Sequence, residues 1–257
     1  MQTKRRNPYR EAESILDLRA NPNMPLVIRV DGRSFSSLSR RFMEKPFDEG
    51  FTLAMDDVAM ALAETMEGAR CVYVQSDEAS VVMVCPRERD PWFDWRIQKV
   101  TTCAAAVASV AFANTMTRLG RDEGRYAEAA STLPTFDARA LQVESSDVCG
   151  YLAWRQNDAK RNAISQAAYA TLGPKATKGL TTWQMREKLA EAGIDFEDYP
   201  ERVRTGGLVV RRTYEKVGLN PLTGESRVVS RQRWERTGEM PNFSTQAEQA
   251  KKLMGLD

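Results

Sequence analysis

The sequence predicts an α+β protein. Its core is a β-α-β-β-α-β unit, a ferredoxin-like antiparallel sheet with helices on one face, followed by a helical and β-hairpin region. Three observations carry this. Strand-like runs stand at residues 25–30, 71–74, 79–84 and 135–143. Helical periodicity fills the gap between the first and second runs and again between the third and fourth. Only Gln75-Ser76-Asp77-Glu78 separates the second run from the third, which makes that pair a tight hairpin.

In chain order, Pro-Leu-Val-Ile-Arg-Val (residues 25–30) is β-branched and apolar and ends at Asp31-Gly32. After a polar loop, Asp48 can cap a helix whose Phe51, Met55, Val58, Leu62 and Met66 share one face, with Gly68 as its stop. A charged loop with Pro86 and Pro91 leads into a long helix over residues 95–119, closed by Gly120. Its Ile97, Val100, Ala104, Val107 and Ala111 suit packing on a sheet. We place this region at residues 1–145 and a second at 146–257, packed against it. The second holds a helix over 146–172 ended by Gly173-Pro174, a shorter one over 182–192, and two strands at 207–215 and 226–235 joined through Asn220-Pro221-Leu222-Thr223-Gly224.

The topology has a consequence for chemistry. A right-handed crossover makes the first two strands parallel, with the third between them and antiparallel to both. Asp31 and the pair Asp77-Glu78, distant in sequence, are thereby expected at one sheet edge.

Composition narrows what can happen there. The chain has no histidine, which excludes a histidine base, and its four cysteines form no CxxC pair, which argues against a zinc site. Carboxylates, hydroxyls, Lys and Arg remain. No run approaches the roughly 20 apolar residues of a membrane helix, and Lys4-Arg5-Arg6 leads into polar sequence rather than a signal peptide. A cytoplasmic protein with reduced thiols is expected. Net charge is only +2, but residues 201–236 hold nine Lys and Arg against four Glu. That surplus of five suits a polyanion, and equally a self-paired, solvated hairpin.

Clustered carboxylates are what a hard cation such as Mg²⁺ needs. Beside Asp31, Gly32-Arg33-Ser34-Phe35-Ser36 can bring backbone N–H groups to a phosphate. A metal-dependent nucleotidyltransferase follows, with Asp31, Asp77 and Glu78 as its carboxylates. A non-catalytic RNA-binding module shares the topology but would display paired aromatics on its central strands, and residues 79–85 have none. Another palm enzyme, such as a nucleotide cyclase, shares the carboxylate logic. Trp92, Phe93 and Trp95 either stack on bases or anchor their loop to the core.

Several strings now carry a family resemblance. Ile28-Arg29-Val30-Asp31-Gly32-Arg33-Ser34-Phe35, Lys45-Pro46-Phe47-Asp48 and Tyr73-Val74-Gln75-Ser76-Asp77-Glu78 resemble the tRNA-histidine guanylyltransferase family. So do Asp90-Pro91-Trp92-Phe93-Asp94 with Gln98-Lys99, Phe136-Asp137-Ala138-Arg139, and Trp154-Arg155-Gln156-Asn157-Asp158 with Asn162. The resemblance spans roughly residues 25–170. It implies a polymerase-like palm that adds nucleotides, GTP preferred, to the 5′ end of tRNA in the 3′-to-5′ direction, after ATP activates the 5′ phosphate. It further implies two Mg²⁺ ions held by Asp31, Asp77 and the Gly32 carbonyl, with Glu78 in support. Residues 31–36 (Asp31, Gly32, Arg33, Ser34, Phe35, Ser36), Lys45 and Ser76-Asp77 would take the nucleotide. Lys99, Arg139, Arg155, Asp158 and Asn162 would contact RNA or phosphate, and a homotetramer, a dimer of dimers, would be the working form. Lys160-Arg161-Asn162-Ala163 replaces the His-Ile-Asn-Asn of the eukaryotic enzymes, which resembles the prokaryotic and phage-type relatives that repair 5′ ends. Residues 7–20 depart from the family's usual opening.

Overall fold

The computed structural model describes residues 7–85, 90–219, 226–238 and 240–256. Pro86 of the charged loop and the turn residues 220–224 lie outside the described residues. The elements in order are α1 (Pro8–Ser14), β1 (Leu26–Gly32), α2 (Phe35–Phe42), α3 (Glu49–Thr65), β2 (Ala69–Gln75) and β3 (Glu78–Met83). They continue with α4 (Ile97–Leu119), α5 (Gly124–Ser131), β4 (Phe136–Gln142), α6 (Val148–Leu172), α7 (Pro174–Thr177) and α8 (Thr182–Glu191). The chain closes with α9 (Glu201–Thr205), β5 (Gly207–Leu219), β6 (Ser226–Arg236) and α10 (Ala247–Met254).

The six strands form one sheet in the order β4-β1-β3-β2-β5-β6. β3 lies between β1 and β2 and runs antiparallel to each, so β1 and β2 are parallel, as the crossover argument requires. Helices α3 and α4 cover one face. There Leu26, Ile28 and Val30 of β1 meet Met55, Val58 and Leu62 of α3 and Val100, Ala104 and Phe112 of α4. This is the ferredoxin-like palm. The opposite face is covered by α6 and α10, through Val27, Cys71, Val82, Leu152 and Met254. The far half of α6 overhangs the sheet and packs on α8 through Ala163, Ala167, Met185 and Leu189.

Several local expectations change. The polar loop after β1 contains α2, whose Phe35, Leu38 and Phe42 are its buried residues. By length and composition, α4 is apolar enough to cross a membrane, contrary to the sequence expectation. Its Val100, Ala104, Ala108 and Phe112 stripe is instead spent on the sheet. β5 runs on past residue 215 and pairs with β6 from Val209↔Arg236 to Leu219↔Ser226, while it touches β2 only over residues 207–210. The remainder of the hairpin is therefore a two-stranded ribbon leaving the sheet.

Candidate active site

The register sets the site. On the α6 face, Asp137, Asp31, Glu78 and Gln75 stand side by side across β4, β1, β3 and β2 at one end of the sheet. Directly opposed residues of antiparallel strands project to the same face. The next tier is Arg139, Arg29, Ser80 and Tyr73, and the one after it is Leu141, Val27, Val82 and Cys71. The face thus grades from apolar, under the start of α6, to acidic at the end where β2 turns into β3.

Ser76 and Asp77 make that turn, with Ser76 at φ 45°. The Gly32 N–H donates to the Asp77 carbonyl at 3.0 Å, tying the end of β1 to the hairpin tip. Gly32 is required sterically: a Cβ there would lie 2.4 Å from the Phe35 ring. That ring is locked among Phe51, Phe112 and Phe136, with centroids 4.8–6.1 Å away. Ser34, at φ 59°, then starts α2 without a capping bond from its side chain. The N–H groups of Phe35 and Ser36, in the first helical turn, have no acceptor within the helix and suit an anion.

Beyond the hairpin tip lies a cavity of about 680 Å³ between α2, the start of α3 and the far half of α6. Phe35, Ser36, Lys45, Ser76, Asp77 and Asn162, all named from the sequence, line it. Lys45 is positioned by the Asp48 carboxylate, which accepts from the N–H groups of Glu44 and Phe51 and from the Tyr126 hydroxyl. Partial dehydration in the cavity wall lowers the Lys45 pKa, against the pull of Asp48.

The carboxylates differ in environment. Asp77 is pushed above the ordinary carboxylate range by burial, with Asp31 adding to the rise and its own N–H and the Ser76 hydroxyl opposing it. Burial also raises Glu78, against its arginines. Arg155 Nε and Nη2 donate to the two Glu78 oxygens at 2.8 Å each, and Arg29 Nε stands 3.8 Å away. The three carboxylates are therefore not one donor cluster: among the described residues no group of three acidic or thiol side chains could hold a metal ion. Asp31 and Asp77 have no ion-pair partner there, and with the Gly32 carbonyl they are the hard oxygen donors that suit Mg²⁺.

The expected RNA and phosphate contacts divide. Arg155 is buried and committed to Glu78 and to Asp158, whose other oxygen holds Arg161. Arg139 is exposed beside Asp137 on the acidic face. Lys99 does not join the site. It stands over Phe93 at the start of α4, at the opposite end of the sheet, about 20 Å away by the rise of a seven-residue strand. Sequence reasoning did not single out Asp137 or Gln75; only the strand register places them beside Asp31 and Glu78.

A family model described as tRNAHis guanylyltransferase matches residues 7–144. The chain belongs to the tRNAHis guanylyltransferase family. It is thus an enzyme of a nucleotidyltransferase family. A probable tRNA(His) guanylyltransferase of Drosophila melanogaster is 29% identical over 79% of this chain and 71% of its own length. Its counterpart in Mus musculus is 28% identical over 82% and 75%. Among solved structures, a bacterial tRNA(His) guanylyltransferase-like protein in complex with ATP has a TM-score of 0.82 at 27% identity, covering 97% of this chain and 98% of that one. A complex of such a protein with GTP gives 0.76 at 27% identity, over 96% and 97%. The similarity to the bacterial structure extends past residue 144, so the family resemblance takes in α6 and the hairpin as well as the palm.

Proposed function

We propose that this enzyme adds nucleotides, GTP preferred, to the 5′ end of tRNA in the 3′-to-5′ direction, and that it depends on Mg²⁺. The observation that carries the reading is the junction of β1 with the hairpin tip. It sets two carboxylates that have no ion-pair partner among the described residues, Asp31 and Asp77, beside the open first turn of α2 and the mouth of a nucleotide-sized cavity.

Asp31, Asp77 and the Gly32 carbonyl would hold the metal ions, which supply charge neutralisation at the triphosphate and its leaving oxygen. The α2 N–H groups and Lys45 bind the phosphates. Phe35 and Asn162 line the space left for the nucleoside. Arg155 neutralises Glu78, and so keeps a third buried negative charge from opposing the phosphates. In the first step a 5′-phosphate oxygen attacks the α-phosphorus of ATP or GTP and pyrophosphate leaves. In the second, the 3′-hydroxyl of the incoming GTP attacks the activated 5′ phosphorus and the nucleoside monophosphate leaves. The region from residue 146 onward contacts the tRNA. One face of the β5–β6 ribbon carries Arg212, Tyr214, Lys216, Arg227, Arg231 and Arg233, which suits a phosphate backbone. A homotetramer is the proposed working form.

Template-dependent repair of shortened 5′ ends is favoured over obligatory guanosine addition. In place of the eukaryotic His-Ile-Asn-Asn, this chain has Lys160-Arg161-Asn162-Ala163, and Arg161 is engaged by Asp158. Incubation with Mg²⁺, all four nucleoside triphosphates and a series of 5′-truncated tRNAs tests this. Additions that follow the opposing base support repair. A single G regardless of template supports guanosine addition, and no 5′ extension of any RNA overturns the whole reading.

A further inference from the structure

Trp154 is half exposed, at 52%, yet it is not free to move. The Arg155 guanidinium carbon lies 4.4 Å from its ring centroid and covers one face. Tyr151 meets its edge, with centroids 5.9 Å apart. Both supports are anchored on β3: Tyr151 shares a 2.8 Å hydrogen bond with Ser80, and Arg155 forks onto Glu78. An indole fixed from beneath, with its other face in solvent, is a stacking platform prepared before any ligand arrives.

The helical period says which part of the site it overlooks. Cys149 and Gln156 of α6 reach the C-terminal segment, at the Ala247 carbonyl and at Pro241 and Phe243. That segment lies on β2, where Phe243 packs on Tyr73 and Met254 on Cys71. At 3.6 residues per turn, Trp154 stands on the other flank of α6, over β1 and the edge strand β4. There the sheet presents Asp31 and Asp137 in its first tier, and exposed Arg139 with Arg29 in its second. An aromatic ring above a tier that offers cations for phosphate and carboxylates for a metal is complementary to a nucleic-acid end.

We propose that Trp154 stacks on one unpaired base at the end of the RNA substrate, the base left opposite a missing 5′ nucleotide, and so fixes it beside the Asp31 edge. One ring face is occupied by Arg155, so the platform takes a single base and caps an end rather than intercalating. The inference rests on the proposed RNA substrate, and its test reads binding separately from catalysis.

The test compares wild type, Trp154→Ala and Trp154→Phe by gel shift with a tRNA lacking its 5′ nucleotide, and with the same RNA made abasic at the opposing position. Stacking requires Trp154→Ala to weaken binding of the base-bearing RNA about tenfold or more. Trp154→Phe should stay within about threefold, and neither should change ATP binding. Against the abasic RNA the Trp154→Ala loss should vanish, because the pair acts as a unit. Equal affinity of Trp154→Ala and wild type for the base-bearing RNA overturns the proposal. An undiminished loss against the abasic RNA overturns it too. A wild type that binds RNA but never extends a 5′ end fails the proposed function while leaving the stacking result readable.

Discussion

Arg155 holds Glu78 through two parallel hydrogen bonds of 2.8 Å, joining the N-terminal half of α6 to the start of β3 inside the protein. Removing either partner has unequal effects. Arg155→Ala strands a buried carboxylate and should cost about 3–5 kcal/mol of stability. Arg155→Lys loses the fork and rescues only partly. Glu78→Gln keeps the shape, so it should fold better than Arg155→Ala and lower activity by about 10–100-fold, as partners behind metal ligands do. Chemical denaturation together with steady-state rates distinguishes the three.

Gly32 offers a second test. A methyl group there collides with a ring held by three other aromatics. Gly32→Ala should cost about 1–3 kcal/mol through overpacking. It should also lower activity more than that loss explains, because β1 ends in the site. Thermal melts and nucleotide binding on the same sample report the two effects.

Asp48 accepts three hydrogen bonds and faces Arg125 at 3.1 Å from its buried position at the start of α3. Asp48→Ala removes a helix cap worth about 0.5–2 kcal/mol and takes away the acceptor of the Tyr126 hydroxyl, which keeps only the bond it accepts from Arg125 Nη2. It should weaken triphosphate binding by releasing the turn that carries Lys45. Asp48→Asn, which still caps, should recover most of the stability.

Asp77 makes a pH prediction. Burial and Asp31 place its folded pKa above the unfolded value. The fold therefore binds this proton more tightly than the unfolded chain. The resulting stability is complete below the unfolded pKa and is lost as pH rises through the folded one. At neutral pH without metal, Asp77→Asn should melt higher than wild type while losing activity. Mg²⁺ should reverse the order by stabilising wild type alone. Mg²⁺ affinity, measured by the metal-induced shift in melting temperature, should weaken as pH falls into the raised Asp77 range.

The parts of the fold that came through in sequence were those with a strong period. The apolar run ending at Asp31 and the Asp48-capped helix both stand where their patterns put them. Helix α2 did not come through, because its Phe35, Leu38 and Phe42 are embedded in Ser and Arg over only eight residues. The cavity residues Lys45, Ser76, Asp77 and Asn162 were reachable through motifs. The fork between Arg155 and Glu78 was not, since nothing in either segment says which cation meets which carboxylate. Asp137 opposite Asp31 depends on register, and a slip of one residue would turn it to the other face. Lys99 shows the converse: a motif residue that the fold places about 20 Å from Asp31 and Asp77, so any RNA contact it makes lies away from the reacting end.

The central claim is that Asp31 and Asp77 form the catalytic edge for adding nucleotides to a 5′ end. Single-turnover addition of labelled GTP to an ATP-activated tRNA lacking its 5′ nucleotide tests it most directly, with wild type, Asp31→Ala and Asp77→Asn side by side in Mg²⁺. Wild type should add the nucleotide, and each variant should lose more than about a hundredfold, beyond what partners behind the metal ligands would produce. Addition at the wild-type rate by Asp31→Ala, or no 5′ addition by wild type, would contradict it.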